Sequence, residues 1–217
     1  MEFLSLNKVN FSWPGGRQVL TDISLAIHPG ETVALVGANG SGKTTLGKIM
    51  VGILQPANGQ VHLAGKPLGQ YSLAEVGRRI GYIFQNPEKQ LFTPSVREEI
   101  GFGLRHRQVA DGEIKRRVQA MLELFELEYC ADSFPFNLSQ GEKQRLALAS
   151  VLILEPEFVI FDEPTTGMDW FRKQSFRELL TLVRKRGCGY VLISHDPDLS
   201  QDSCSRILRL EGGRLHV

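Results

Sequence analysis

The chain has 217 residues, 42% hydrophobic and 23% charged, with 25 Lys and Arg against 24 Asp and Glu. That supports one domain, or one domain with an inserted subdomain, and a real core. A formal net charge of +1 sets up no global field for nucleic acid or anionic lipid. No apolar run approaches the roughly 18 residues of a membrane-spanning helix. The start, MEFLSLNKVNFSW, lacks the pattern of a signal peptide. Cys130, Cys188 and Cys204 lie far apart without metal-binding spacing, and read as reduced, mostly buried thiols of a cytosolic protein.

Taken in chain order, Phe3 to Phe11 and Val19 to Ile27 are strand-like, separated by a turn at Pro14-Gly15-Gly16. After a turn at residues 28–31, Thr32 to Val36 is a short apolar run typical of a buried parallel strand. A helix is predicted from about Lys43 to Gly52. Further strands are predicted at Val61 to Leu63, Arg79 to Phe84, Phe158 to Phe161, Tyr190 to Ser194 and Ile207 to Leu210. Helices are predicted at Glu113 to Leu127, with Ile114, Val118, Met121, Leu122 and Phe125 on one face, at Ser139 to Leu154, and at Asp169 to Arg186. Alternating strands and helices imply an α/β fold with a central parallel sheet. The stretch from Gln85 to Phe158 holds almost only helix and loop and reads as an inserted helical subdomain.

Two motifs carry chemistry that follows from their residues. Gly37-Ala38-Asn39-Gly40-Ser41-Gly42-Lys43-Thr44 has the G-x4-G-K-[ST] pattern between a predicted strand and a predicted helix. Glycines let the backbone wrap a phosphate with N–H groups turned inward, and the helix N-terminus adds partial positive charge. Lys43 is a point charge for β and γ phosphates, and the Thr44 hydroxyl suits Mg²⁺. The second motif is the apolar strand from Phe158, which ends in Asp162 and Glu163. Asp162 suits the metal; Glu163 suits a general base that polarises an attacking water. The bland alternatives are a glycine turn and two idle surface acids. A kinase with a long lid also fits these two motifs alone.

Leu138-Ser139-Gln140-Gly141-Glu142, continuing Lys143-Gln144-Arg145, resembles the signature of the ABC family, most often Leu-Ser-Gly-Gly-Gln. Ser-x-x-Glu is also a helix capping box, and the two readings are compatible. The resemblance covers essentially the whole chain. It implies a P-loop NTPase (RecA-like) core with an antiparallel β segment and an inserted α-helical subdomain, all one domain over 1–217. Residues 1–85 and 156–217 would form the core, and about 86–155 the insertion. Trp13, in Phe11-Ser12-Trp13, looks like the aromatic that stacks on adenine, where most relatives carry Tyr; a core tryptophan is the alternative. Residues 37–45, ending in Thr45, would hold ATP. Gln85 looks like the Q-loop glutamine that reaches Mg²⁺ with Thr44 and Asp162. Glu163 and His195 would be catalytic with Gln85. Asp169, which also reads as a helix N-cap, looks like the D-loop aspartate. With Ser139, Gln140, Gly141 and Glu142, it would face the ATP held by the opposite subunit of a homodimer or heterodimer.

Within the family, Gln85 through Gly103 looks like the corresponding region of energy-coupling-factor (ECF) importer ATPases. That implies prokaryotic uptake of a vitamin or transition-metal ion, at the cytoplasmic face of the cell membrane. The implied partners are a transmembrane coupling subunit and a substrate-binding membrane subunit, with no nucleic acid. Between Gln90 and Phe102 the sequence reads as an unusually apolar connecting loop. Leu91 and Phe92 would line a groove for a basic coupling helix, with Glu98 or Glu99 at its rim. Two departures stand out: many such ATPases carry a C-terminal extension that this sequence lacks, and Gln140 and Glu142 replace the commoner Gly and Gln. The second puts equal activity at both sites of a dimer in question. The rival readings are a soluble ABC ATPase not coupled to transport and a regulatory subunit without catalysis; the latter predicts loss of Glu163 or His195, and both are present.

Overall fold

A computed structural model describes residues 1–16 and 18–216; Arg17 and Val217, which the single-domain reading includes, lie outside the described residues. The chain divides into two compact units, Met1–Tyr82 with Glu157–Val217 and Ile83–Pro156. They are called here the sheet unit and the helical unit.

The sheet unit holds two sheets. Strands β1 (Leu4–Ser12), β2 (Gln18–Ile27), β4 (Asn58–Leu63) and β5 (Lys66–Pro67) form an antiparallel sheet ordered β2-β1-β4-β5. The second sheet has the order β10-β9-β3-β8-β7-β6. Its members are β3 (Thr32–Val36), β6 (Ile80–Ile83), β7 (Phe158–Asp162), β8 (Gly189–Ile193), β9 (Arg206–Glu211) and β10 (Arg214–His216). β3 runs parallel to β8 and β9, and β7 parallel to β8. Every residue of β7 and β8 is buried, as expected of strands covered on both faces. Helix α1 (Lys43–Met50) contributes Leu46, Ile49 and Met50 to one core with Leu4, Leu20, Ile27, Phe158 and Ile193. Each such side chain contributes about 1.5–3 kcal/mol by leaving water.

The structure adjusts several predicted elements. Arg79 ends a helix, α2 (Leu73–Arg79), that the pattern from Arg79 to Phe84 conceals. Ser72 and Glu75 close a capping box at its start, and that local hydrogen bonding outweighs a short, polar face. Helix α1 stops at Met50 rather than Gly52. The antiparallel β5 and β10 are too short to show a pattern. Two further helices, α6 (Trp170–Lys185) and α7 (Pro197–Ser203), complete the sheet unit.

The helical unit contains α3 (Val96–His106), α4 (Asp111–Leu124) and α5 (Gln140–Leu152). The stretch read as a connecting loop is therefore half helix. Ser95 caps α3 by accepting from the Glu98 N–H, and Val96, Ile100 and Leu104 bury one face of it. Val96 and Ile100 are thus core, spaced by one helical turn. In α4 the buried stripe is Ile114, Val118 and Leu122, continued by Phe125. No helix among the described residues is long and apolar enough to cross a membrane.

Candidate nucleotide site

The loop between β3 and α1 is shaped by glycines with positive φ: Gly37 at 153°, Gly40 at 78° and Gly42 at 106°. At Gly37 a Cβ would lie 2.3 Å from the Leu210 carbonyl oxygen, so no other residue fits. Gly42 is the N-cap of α1 and offers it no capping side chain; the N–H groups of the first turn are left for an anion. Ser41 Oγ is buried and has no hydrogen-bond partner among the described residues. An unsatisfied buried hydroxyl costs about 1–3 kcal/mol, and a phosphate oxygen would satisfy it. Ala38, Asn39 and Thr45 complete the run, with Thr45 buried at the start of α1.

Lys43 is 6% exposed. Its Nζ donates to the Gly37 and Ala38 carbonyls at 2.9 and 3.1 Å and lies 3.8 Å from Glu163 Oε1. The ammonium therefore sits over the same loop whose amides would wrap a phosphate. Thr44 Oγ1 donates to Asp162 Oδ1 at 2.8 Å, although 118 residues separate them. The parallel sheet achieves this by ending β7 beside the start of α1. Asp162 is buried, and that burial pushes its carboxyl above the ordinary value. Bound Mg²⁺ would oppose that shift. No cluster of three or more His, Cys, Asp or Glu able to hold a metal exists among the described residues. One hydroxyl and one carboxylate fit Mg²⁺, which keeps waters and takes its remaining ligands from substrate phosphates.

Glu163 follows directly, 7% exposed, with φ at 50°. A left-handed φ in a glutamate costs on the order of 1 kcal/mol or more. The Glu163 N–H donates to the Ile193 carbonyl at 2.9 Å, which holds the turned backbone at the end of β8. His195, two residues past β8, places Nδ1 2.7 Å from Glu163 Oε2. A carboxylate only accepts, so Nδ1 carries the proton of this bond. The Glu163 carboxylate thus spans Lys43 and His195.

Trp13 lies just past β1, 43% exposed, its ring edge-on to Phe11 at 5.1 Å. It is not a core side chain. Asp169 is the N-cap of α6, its Oδ1 accepting from the Arg172 N–H at 2.9 Å.

In the helical unit, Gln85 is exposed just past β6. Ser139 is the exposed N-cap of α5, and the Ser139–Glu142 capping box is closed in both directions. Glu142 also accepts from the Tyr129 hydroxyl. Bonds from the Ser139 hydroxyl first, then from Tyr129 and the Ser139 backbone, hold the Glu142 carboxyl down at about 2. Gln140 is exposed and Gly141 half-buried at the same helix end. Sequence reasoning missed two tethers here. Lys143 Nζ pairs with Glu88 Oε1 at 2.6 Å, and the Gln90 side chain joins the Phe84 N–H to the Ala147 carbonyl. Both tie the segment after Gln85 to α5. Only the run of polar residues around Gln85 hinted at them.

The expectation for the docking segment needs correction. Leu91 is 3% exposed and Glu99 is 4% exposed, so neither lines a groove or its rim. Glu99 Oε2 accepts from the Phe92 and Thr93 N–H groups and the Thr93 hydroxyl, each at 2.9 Å. This carboxylate folds the loop ahead of α3 and leaves Phe92 and Phe102 exposed, edge to face at 4.8 Å. Glu98 remains exposed.

Comparison with known proteins agrees with this architecture. Residues 20–166 match the family model for the ABC transporter. A protein of Pyrococcus furiosus, provisionally named an ABC transporter ATP-binding protein, is 38% identical over 98% of this chain and 81% of its own length. A similarly named protein of Methanosarcina mazei is 37% identical over 99% of this chain. The chain spans 36% of that relative's length and 33% of that of its Methanosarcina acetivorans counterpart, about a third of each. Among solved structures, cbiO1 from Clostridium perfringens, described as part of the ABC transporter complex cbiONQ, superposes with a TM-score of 0.88. It is 32% identical, over all of this chain and 87% of cbiO1. The ATP-binding cassette MJ0796, solved as a dimer in a post-hydrolysis state with ADP and Pi, gives 0.88 at 25% identity, over 99% and 97% of the two chains. The chain belongs to the ABC transporter family, as one of its ATP-binding ATPase domains.

Proposed function

We propose that this domain binds Mg-ATP and hydrolyses it to drive a membrane importer of the ECF type, for a vitamin or a transition-metal ion. The observation that carries the ATPase reading is the Glu163 carboxylate, held between Lys43 and His195 at the edge of the glycine loop. Backbone amides of residues 37–45 and Lys43 bind the phosphates, and the exposed face of Trp13 stacks on adenine. Thr44 and Asp162 would hold Mg²⁺, with Gln85 reaching toward it as its likeness to the Q-loop glutamine implies, and the ion would supply charge neutralisation at the β and γ phosphates. Glu163 takes a proton from the attacking water. The water oxygen bonds to the γ phosphorus, the bond to the β–γ bridging oxygen breaks, and ADP and phosphate result. His195 orients Glu163 through Nδ1 and is itself oriented toward the γ phosphate.

Two such domains, from this chain alone or with a second ABC ATPase, close over two ATP molecules. Ser139, Gln140, Gly141, Glu142 and Asp169 of one chain face the nucleotide held by the other. The dimeric state described for MJ0796 supports this arrangement. The ECF reading is supported by the segment from Gln85 to Gly103 and by the likeness to cbiO1, itself described as part of a transporter complex. Phe92, Phe102 and Glu98 offer an apolar surface with an acidic edge, suited to a basic coupling helix.

The test is to purify the tagged protein from solubilised membranes of its own source, identify what accompanies it, and assay ATP turnover with and without Mg²⁺. Mg-dependent turnover together with a membrane coupling subunit and a substrate-binding subunit supports the proposal. Turnover with no membrane protein attached turns the reading to a soluble ABC ATPase.

A further inference from the structure

Asp162 has two oxygens, and the ATPase chemistry accounts for one. Oδ1 accepts from Thr44; Oδ2 accepts from the Tyr82 hydroxyl at 2.9 Å. Tyr82 stands on β6, the strand beside β7 at the sheet edge. The space for its hydroxyl is kept open by α1. A Cβ at Gly47 would lie 3.3 Å from Tyr82 Oη and 2.9 Å from Ile193 Cδ1. Three elements therefore meet around one carboxylate.

We propose that Tyr82 is a positioning residue for the metal site: its hydroxyl pins Oδ2 of Asp162 so that Oδ1 stays turned to Thr44 and the metal. This rests on the reading of Thr44 and Asp162 as a Mg-ATP site. The physical reason is that the terminal torsion of an aspartate is soft, with broad wells, so a carboxylate held through one oxygen rotates. Bonds to both oxygens from different elements fix its plane. A phenol suits the task because it donates without adding a positive charge that would compete with the cation. A tyrosine phenol ordinarily titrates at about 10, so at neutral pH it carries the proton it donates to Oδ2. Partners of this kind typically change metal affinity by about 10–100-fold when removed.

The experiment measures ATP affinity of the purified protein by calorimetry, in Mg²⁺ and in EDTA, and takes the ratio of the two. That ratio isolates the metal's contribution and cancels general damage to the nucleotide loop. Tyr82→Phe should lower the ratio about 10-fold while the thermal midpoint in EDTA moves little. Gly47→Ala crowds the hydroxyl without removing it and should lower the ratio in the same direction by less. If Tyr82→Phe unfolds, the Gly47→Ala result decides alone. A wild-type ratio in the variants overturns the role of Tyr82 and leaves the Mg-ATP reading standing. A wild-type protein whose ATP affinity ignores Mg²⁺ sinks both.

Discussion

Lys43, the Asp162–Glu163 pair and His195 come from three separate parts of the chain, yet in the sheet unit each touches another or shares a partner. In the helical unit, Ser139 and Glu142 bond chiefly to each other and to Tyr129, and Gln85 is exposed. The first region is wired across the sheet; the second is wired within a few turns of its own chain. The difference teaches where function is built. Chemistry at the phosphate needs charges converging from several strands, held by a parallel sheet that orders all their ends together. Groups that present themselves to another protein need only a stable helix end and an exposed surface.

The sharpest way to test that contrast is Glu163→Gln. It keeps the shape, but the amide cannot accept the proton. ATP hydrolysis should fall by on the order of 10²-fold or more, with ATP binding within a few-fold of wild type and an ATP-trapped dimer accumulating. Near-normal turnover would remove Glu163 from the role.

In the helical unit the corresponding variant is Phe92→Ala with Glu98→Gln. Both side chains are exposed, so folding and ATP binding by the isolated protein should change little. Co-purification with the membrane subunit should be lost. Glu99→Ala is the contrast within one loop, because it strips three hydrogen bonds from a buried segment. It should destabilise the protein by about 2–3 kcal/mol, read as an earlier denaturant midpoint. If the double variant unfolds to the same degree, the aromatic pair is structural and the contrast between the units fails.

Trp13→Ala tests the edge of the sheet unit. Losing one stacked aromatic should weaken ATP binding by roughly 1–2 kcal/mol, and Trp13→Tyr should be mild. Trp13 fluorescence in a Trp170→Phe background should respond to saturating ATP; no response places Trp13 outside the nucleotide site.

The smallest expected effect is at Glu142. Its folded value, about 2, lies below the ordinary carboxylate range. Its contribution to stability is therefore present above that range and is lost as pH falls from about 4.5 toward 2. In Glu142→Gln that part of the acid response should be absent. The measurement is the thermal midpoint of both proteins across that interval. Parallel curves would show that the capping box, not the charge, sustains the helix end.

The motif residues themselves were legible in the linear chain. Gly-x4-Gly-Lys-Thr, the paired acids at 162–163 and Leu-Ser-Gln-Gly-Glu are local patterns, and local patterns encode turns, caps and strand ends because those depend on neighbours in sequence. The fold class was legible for the same reason, through alternating strand and helix periods. Legibility failed where the decisive partner was distant or the element too short. Leu91 read as groove lining and Glu99 as a rim residue because nothing local tells a buried side chain from an exposed one. Residues 96–102 read as loop because a capped helix after Ser95 looks like an apolar connection until its buried face is known.

By itself, then, the sequence determined the glycine loop before α1, the acids that end the buried strand, and the kind of sheet that joins them. Tertiary structure decided that Thr44 meets Asp162, that His195 meets Glu163, that Tyr82 reaches the second oxygen of Asp162, and that Glu99 turns inward. These pairings arise only when strands distant in the chain lie side by side, and the order of strands in a sheet is set by packing rather than by any residue's neighbours.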